Sequence, residues 1–214
     1  AVNHVLLEHD LELRNVFQSI KIKGAGSSNT DRLPITDEHL DLMTPAFESS
    51  EVAAALLVLL TDTGARLAEV TGLETRDVDL DKAILYLRPN DHRGLKTKTS
   101  TRSIPLSPRA TECLRQQQVG LSDTDPIFPA YAQPRGSDNA SAMLMKRLRT
   151  VITDKKLTMH SLRHRMKDKL RNTGCPEAIS LAILGHSTNT VAANYGSGYA
   201  LEVMREALVR VWDK

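Results

Sequence analysis

Three short segments contain polar residues that core packing does not require. Each segment carries two candidate chemical groups: Arg66 and Glu69 in "TGARLAEVTGL", His160 and Arg163 in "HSLRH", and His186 and Tyr195 in "LGHSTNTVAANY". The members of the first two pairs are three residues apart, so each pair can share one face of a helix. Two arginines that converge on one anion suit a phosphate, because each planar guanidinium donates two parallel hydrogen bonds. The anion that we favour is a DNA phosphodiester.

Tyr195 is the candidate nucleophile. It lies nine residues after His186 and directly before "GSG", in which Gly196 and Gly198 could act as hinges. A buried tyrosine is normally held by regular structure on both sides, so a ring beside two glycines is predicted to reach outward. Tyr199, four residues later, is the competing tyrosine.

Each feature taken alone also has an ordinary structural explanation. Arg66 and Glu69 could form a surface ion pair, and His186 could cap a helix or pack in the core. His160 and His164 could begin a zinc site, but no convincing third ligand lies near them in sequence. The sequence also lacks a "GxxxxGK[ST]" phosphate loop and the carboxylate cluster of a two-metal nuclease. We therefore expect neither a metal nor a cofactor.

The net charge of +2 conceals a separation of charge along the chain. Residues 1–90 hold 8 Lys/Arg and 15 Asp/Glu, whereas residues 131–171 hold 11 and 3. A concentrated basic region favours a polyanion such as double-stranded DNA, although a solvated basic helix face would look the same. The basic residues that we predict to contact the DNA backbone are Lys98, Arg102, Lys146, Arg147, Arg165 and Lys169.

Composition indicates a globular protein, since 214 residues with 41% apolar content can bury one substantial core. The longest apolar run, residues 52–60, is far shorter than the roughly 20 residues that cross a bilayer, and no signal-peptide pattern opens the chain. Cys113 and Cys175 lack a metal-site spacing. We expect a cytoplasmic protein with reduced cysteines and no membrane partner.

The elements that must position these groups are mostly helical. A buried helix is predicted over about 51–62, begun by serines and stopped by Gly64, and a short helix follows in "ARLAEVTGL". Residues 78–106 predict a hairpin with a basic turn, and Ser107 and Pro108 begin another helix. Further helical segments are predicted at about 139–152, 160–173, 176–184, 187–195 and 200–213. The predicted fold class is α+β, a mainly helical domain with a small antiparallel β-sheet.

The ordered motifs resemble the tyrosine recombinase (phage integrase) family over about residues 30–210. The family's "TGxRxxE" is matched by "TGARLAE", "HxLRH" by "HSLRH", and "LGHS" is followed by a tyrosine nine residues past its histidine. The resemblance implies the family's catalytic fold, and site-specific DNA recombination, in integration or excision, through a 3′-phosphotyrosyl intermediate.

The same resemblance implies a role for each group. Tyr195 attacks the phosphate, Arg66 and Arg163 stabilise charge on the transition state, and His160 helps to remove the tyrosine proton or organises the phosphate. His186 donates to a non-bridging oxygen and Glu69 orients its neighbours. The family also uses a lysine from the hairpin turn to protonate the leaving oxygen. Lys96 fits that position better than Lys98, although the alignment can shift by two residues.

The resemblance further implies partners, domain limits and a nucleoid-associated protein of bacterial or phage origin. Residues 1–30 are predicted to be the tail of an upstream domain plus a linker, and residues 31–214 the catalytic domain, so we expect the chain to be a fragment. The apolar stripe of Leu201, Met204, Leu208 and Trp212 is expected to help link protomers in a DNA-bound homotetramer, with possible DNA-bending accessory proteins. A type IB topoisomerase and a non-catalytic DNA-binding module are the alternatives.

Overall fold

The computed structural model describes residues 7–10, 15, 32–93, 100–186 and 199–213. The chain divides into two compact units, Ala1–Arg32 and Leu33–Lys214. The helix that we predicted over residues 187–195 and residues 94–99 of the predicted turn at 90–100 lie outside the described residues. The architecture given below is that of the second unit.

Helices make up most of the second unit. They are α1 (Asp37–Glu48), α2 (Glu51–Thr63), α3 (Leu67–Thr71), α4 (Pro108–Gln117), α5 (Gly136–Val151), α6 (Ser161–Asn172), α7 (Glu177–Leu184) and α8 (Leu201–Trp212). Two short 3-10 turns are found at Thr75–Asp77 and Pro129–Tyr131. The described part of the chain has no helix that is both long enough and apolar enough to span a membrane.

The apolar run at residues 52–60 forms the centre of α2, which is buried along most of its length. The Ser50 hydroxyl accepts a hydrogen bond from the amide of Ala53, and Gly64 ends the helix in the left-handed conformation at φ 62°. Helix α2 packs against α1, α3, α4 and α6. Helix α2 is therefore the central element of the core, and the first segment of the candidate site follows its carboxyl end.

The sheet is small and antiparallel. Strands β1 (Val78–Asp79), β2 (Ile84–Leu87) and β3 (Arg102–Pro105) lie in that order, with Leu85 opposite Ile104 in the buried register. Ser107 caps α4 and Pro108 is its first residue, as the sequence predicts. The α+β fold class with a small antiparallel sheet is confirmed.

Helix α8 packs on β3 and α6 of its own chain. Of the apolar stripe that we predicted, Met204 and Leu208 are buried and Leu201 and Trp212 are partly buried. The indole Nε1 of Trp212 donates to the backbone oxygen of Asp62 at 3.0 Å. The stripe therefore already has a partner within the same chain.

Candidate active site

The first arginine is placed by the end of α2. Gly64 turns the chain in the left-handed conformation, and a Cβ there would lie 2.7 Å from Met166 Cγ, so glycine is required for space as well. Two residues later, Arg66 precedes α3. Its backbone N–H donates to Glu69 Oε2 at 2.8 Å, and its Nη1 donates to Oε1 at 2.7 Å. The turn thus orients a guanidinium that is 26% exposed.

Glu69 joins α3 to the sheet. Its buried carboxylate accepts from Arg102 Nη2 at 2.9 Å and from Nη1 at 3.1 Å, a bidentate ion pair between α3 and β3. Burial alone raises the pKa of Glu69, but the hydrogen bonds and charges of Arg102 and Arg66 outweigh burial and lower the pKa to about 2. Glu69 therefore stays ionised at every physiological pH.

The second arginine reaches the same place from α6. Arg163 is only 4% exposed, and its Nη1 donates to the backbone oxygen of Gly64 at 2.7 Å. Its Nη2 donates to the backbone oxygen of Leu184 at the carboxyl end of α7. Burial, followed by the charges of Arg66 and Arg102, lowers the pKa of Arg163 to about 9, so it remains a cation at neutral pH.

His186 follows the end of α7. Gly185 ends that helix at φ 62°, and the backbone N–H of His186 donates to the oxygen of Leu181 at 2.9 Å. Burial lowers the pKa of His186 to about 4, with further contributions from the positive charges of Arg163 and Arg66. The imidazole is therefore neutral at pH 7 and can donate one hydrogen bond.

His160 stands at the start of α6, one turn before Arg163. It is exposed, and its ring lies edge-on to that of His164 with ring centroids 5.1 Å apart. In the described ranges, no group of three or more His, Cys, Asp or Glu side chains is placed to hold a metal ion. The zinc alternative therefore gains no support from these two rings.

The guanidinium group of Arg163 lies near that of Arg66. Arg66 is two residues from Gly64, whose oxygen binds Arg163, and the charge of Arg66 lowers the pKa of both Arg163 and His186. Arg66 and Arg102 bind the carboxylate of Glu69, and Arg163 is close enough for the charges of all three residues to shift its pKa. We call these four residues the Glu69 cluster. Its net charge is positive.

Tyr195, Lys96 and Lys98 lie outside the described residues. Their predicted roles as nucleophile, proton donor and DNA contact therefore stay predictions.

The predicted DNA contacts differ in what they already bind. Arg102 is not a surface residue: its side chain is 7% exposed and its donors are taken up by Glu69 and by the backbone oxygens of Ser100 and Ile183. The structure thus corrects its predicted role from a phosphate contact to an internal partner of Glu69.

The remaining predicted contacts lie nearer the surface. Lys146 is exposed, and Arg147 is half-buried and donates to Ser49 Oγ at 2.6 Å. Arg165 and Lys169 both bind the carboxylate of Asp37, from which Lys169 Nζ is 2.8 Å away. We call Asp37, Arg165 and Lys169 the Asp37 cluster.

Sequence reasoning missed a second buried arginine near the site. Arg93 donates from Nη1 to the backbone oxygen of Glu69 at 2.9 Å and from Nη2 to Asp77 Oδ2 at 3.1 Å. Nothing in the local pattern "DHRGL" distinguishes this side chain from a solvated arginine of a basic turn. Glu69 and Asp77 lie 24 and 16 residues away from Arg93, so these two contacts have no local sequence signal.

Comparison with known proteins agrees with this geometry. The sequence profile of the phage integrase family matches residues 35–200. The chain is 27% identical over 140 residues to the tyrosine recombinase XerC 2 of Ralstonia nicotianae, covering 62% of this chain and 39% of that protein. It is 26% identical over 181 residues to the tyrosine recombinase XerD of Corynebacterium glutamicum, covering 81% and 55%. The chain thus spans about half the length of the curated relatives it matches.

Solved structures show the same fold. An integrase of the transposon Tn1549 in complex with transposon right end DNA has a TM-score of 0.66 at 17% identity, covering 98% of this chain and 75% of that one. The XerA recombinase has a TM-score of 0.60 at 20% identity, covering 98% and 73%. The motifs, the fold and the family match over most of its length together establish that the chain belongs to the phage integrase family.

Proposed function

We propose that the protein catalyses site-specific DNA recombination, in integration or excision, by cutting and rejoining strands through a 3′-phosphotyrosyl intermediate. The observation that carries this proposal is the net positive charge of the Glu69 cluster. Arg66 and Arg102 bind a single carboxylate and Arg163 interacts with it through charge, and two of these three arginines are nearly buried. Buried charge costs several kcal/mol unless it is paired, so the cluster is complementary to an anion.

A backbone phosphodiester fits that requirement. It brings one negative charge and two non-bridging oxygens, and Arg66 is exposed enough to meet it. Arg163 donates to two backbone oxygens, which fixes the orientation of its guanidinium before substrate binds. Preorganised donors of this kind stabilise charge that develops in a transition state, each by about 2.7–4 kcal/mol.

The chemistry follows from these groups. The Tyr195 oxygen attacks phosphorus while its proton passes to His160, and the P–O5′ bond breaks with its electron pair remaining on O5′. Lys96, or Lys98, supplies the proton that O5′ takes up. Arg66, Arg163 and neutral His186 donate hydrogen bonds to the non-bridging oxygens, and Glu69 orients the arginines. Attack by a second 5′ hydroxyl reverses these steps and rejoins the strand, so no nucleotide or metal cofactor is consumed.

The partner of this reaction is double-stranded DNA. The similar fold of the Tn1549 integrase, which was solved in complex with transposon end DNA, supports this proposal. Lys98, Lys146, Arg147, Arg165 and Lys169 would contact the backbone. Since exchange between two duplexes cuts four strands and each subunit supplies one tyrosine, the working unit is a homotetramer on the nucleoid. DNA-bending accessory proteins would assist in its assembly.

A nicked suicide duplex tests the proposal in the natural full-length protein. Loss of the short fragment beyond the nick prevents rejoining, so a covalent protein–DNA adduct accumulates. We expect the adduct from the wild type and from Tyr199→Phe, the matched tyrosine control, but not from Tyr195→Phe.

Two other outcomes would replace the proposal. Absence of an adduct in every variant, with DNA binding intact, would indicate a non-catalytic binding module. Adduct formation with relaxation of supercoiled plasmid, but no exchange between paired sites, would indicate a topoisomerase of the type IB class.

A further inference from the structure

We infer that Arg93 and Arg102 are positioning residues that fasten both ends of the β2–β3 hairpin to Glu69, and that proton transfer by the hairpin lysine depends on them. The inference rests on the proposed function, which makes Lys96 or Lys98 the proton donor to O5′. The two residues bracket the segment 94–99 in the chain. Each is a buried arginine bound to a different part of Glu69.

Arg93 holds the first end of the hairpin. The side chain is 1% exposed, and Nη1 donates to the backbone oxygens of Glu69 at 2.9 Å and of Gly72 at 3.3 Å. Nη2 and Nε donate to the oxygen of Arg88, and Nη2 also pairs with Asp77. The guanidinium therefore spans from the hairpin to the carboxyl end of α3.

The second end of the hairpin is held by Arg102. The guanidinium that binds the Glu69 carboxylate also donates from Nη1 to the oxygen of Ser100 at 2.9 Å and from Nε to that of Ile183 at 2.8 Å. Arg102 thereby links the first described residue after the turn to both α3 and the end of α7. His186 follows that end of α7 directly.

Two glycines make room for these contacts. A Cβ on Gly72 would lie 2.7 Å from the Cβ of Arg93, and a Cβ on Gly185 would lie 2.6 Å from Nη1 of Arg102. Both approaches are closer than real Cβ contacts allow, so a side chain at either position would displace the neighbouring arginine. Gly185 in addition requires its positive φ.

Stability alone does not require this arrangement. Apolar side chains of similar volume often stabilise a buried site as well as ion pairs do, because they avoid the desolvation of charge. Directional hydrogen bonds instead fix where a segment lies. Glu69 also binds Arg66, so the same residue positions both hairpin ends and the first phosphate-binding arginine. The residues on either side of segment 94–99 are thereby tied to the arginine that meets the phosphate.

The test compares two leaving groups in the natural full-length protein. One suicide duplex has the normal 5′ oxygen at the scissile bond, and the other has sulfur in that position. Because a thiolate is a far weaker base than an alkoxide, its departure needs no proton donor. We expect Arg93→Lys and Arg102→Lys to cleave the oxygen substrate about 100-fold more slowly than the wild type. Cleavage of the sulfur substrate should fall by less, so that the oxygen-to-sulfur rate ratio drops at least about tenfold.

The matched control is Arg149→Lys. Arg149 also binds backbone oxygens, those of Ile152, Asp154 and Leu157, but it has no link to Glu69. Its oxygen-to-sulfur rate ratio should equal that of the wild type. Both rates come from one preparation, so the ratio is independent of the fraction of each variant that is folded.

An unchanged ratio in Arg93→Lys and Arg102→Lys would overturn the inference, because equal losses on both substrates indicate a general structural role. The inference would also be overturned if neither Lys96→Ala nor Lys98→Ala regained cleavage on the sulfur substrate, since the hairpin would then hold no proton donor. The proposed function is judged separately: Tyr195→Phe must lose adduct formation on both substrates.

Discussion

Helix α6 carries basic residues in two environments. Arg163 points into the Glu69 cluster and is bound by backbone oxygens of Gly64 and Leu184. Farther along the helix, Arg165 and Lys169 pair with Asp37, a carboxylate whose side chain is 57% exposed. The residue types are alike, and Arg165 and Lys169 are themselves only 12% and 19% exposed, but the carboxylate of Glu69 is 4% exposed. The burial of the carboxylate partner, and not the number of positive charges, therefore separates the two clusters.

The largest expected difference between the two clusters is in stability. Glu69→Gln keeps the shape of the side chain but leaves buried Arg102 without its counter-charge, which should cost about 3–5 kcal/mol of unfolding free energy. Asp37→Asn, the matched amide substitution in the exposed cluster, should cost at most about 1 kcal/mol. Urea unfolding of both variants measures the contrast, and similar losses would contradict it.

The next largest effect is on cleavage. Arg163→Lys removes the fork that joins Gly64 and Leu184, so we expect cleavage of a suicide duplex to fall about 100- to 1000-fold. Arg165→Lys, on the same helix, should change the rate by no more than a few-fold. Single-turnover rates at saturating protein make the comparison, and a matching loss in Arg165→Lys would remove the distinction.

A smaller effect concerns pH. The pKa of His186 is lowered to about 4 in the folded protein. As pH falls, the unfolded chain therefore binds a proton on this histidine near pH 6.5, whereas the folded protein binds it only near pH 4. Unfolding free energy should therefore decline as pH falls from 6.5 toward 4, and His186→Gln should show less of this decline. The shift is caused by burial and neighbouring arginines, so bound DNA phosphate should raise the pKa. Proton NMR titration of His186 with and without duplex checks both statements.

The smallest effect is expected on binding at the Asp37 cluster. Hydrogen bonds from Lys169 and Arg165 lower the pKa of Asp37 and outweigh the opposing effect of burial. Both cations are therefore partly neutralised in the free protein. Asp37→Asn should release them and tighten non-specific duplex binding a few-fold. Lys169→Ala should weaken it evenly across sequences and reduce the slope of log affinity against log salt by about 1. Fluorescence anisotropy at several salt concentrations measures both changes.

The elements that the sequence predicts well are those with local signals. Helix α2 begins after Ser50 and ends at Gly64 because capping and the left-handed turn depend on neighbouring residues. Helix α5 begins earlier than predicted, at Gly136, following Arg135 in a left-handed conformation at φ 62° that its residue type does not suggest. The tyrosine recombinase resemblance is confirmed by the family match and by the fold.

The site was only partly predictable. Arginine chemistry indicated a shared anion for Arg66 and Arg163, and the structure brings these two residues together. The function of Arg102 was not predictable, because its partner Glu69 lies 33 residues away and an isolated arginine gives no sign of what it binds. The same holds for Arg165, whose partner Asp37 is 128 residues away. Pairing over such distances is decided by the packing of helices.

The central claim is that the excess positive charge of the Glu69 cluster acts on the scissile phosphate. Replacing one non-bridging oxygen of that phosphate by a methyl group removes its negative charge, and cleavage by wild type and Arg66→Ala can be compared on both duplexes. We predict that Arg66→Ala slows cleavage of the natural phosphate about 100-fold and that this penalty shrinks at least about tenfold on the neutral substrate. An equal penalty on both substrates would contradict the account.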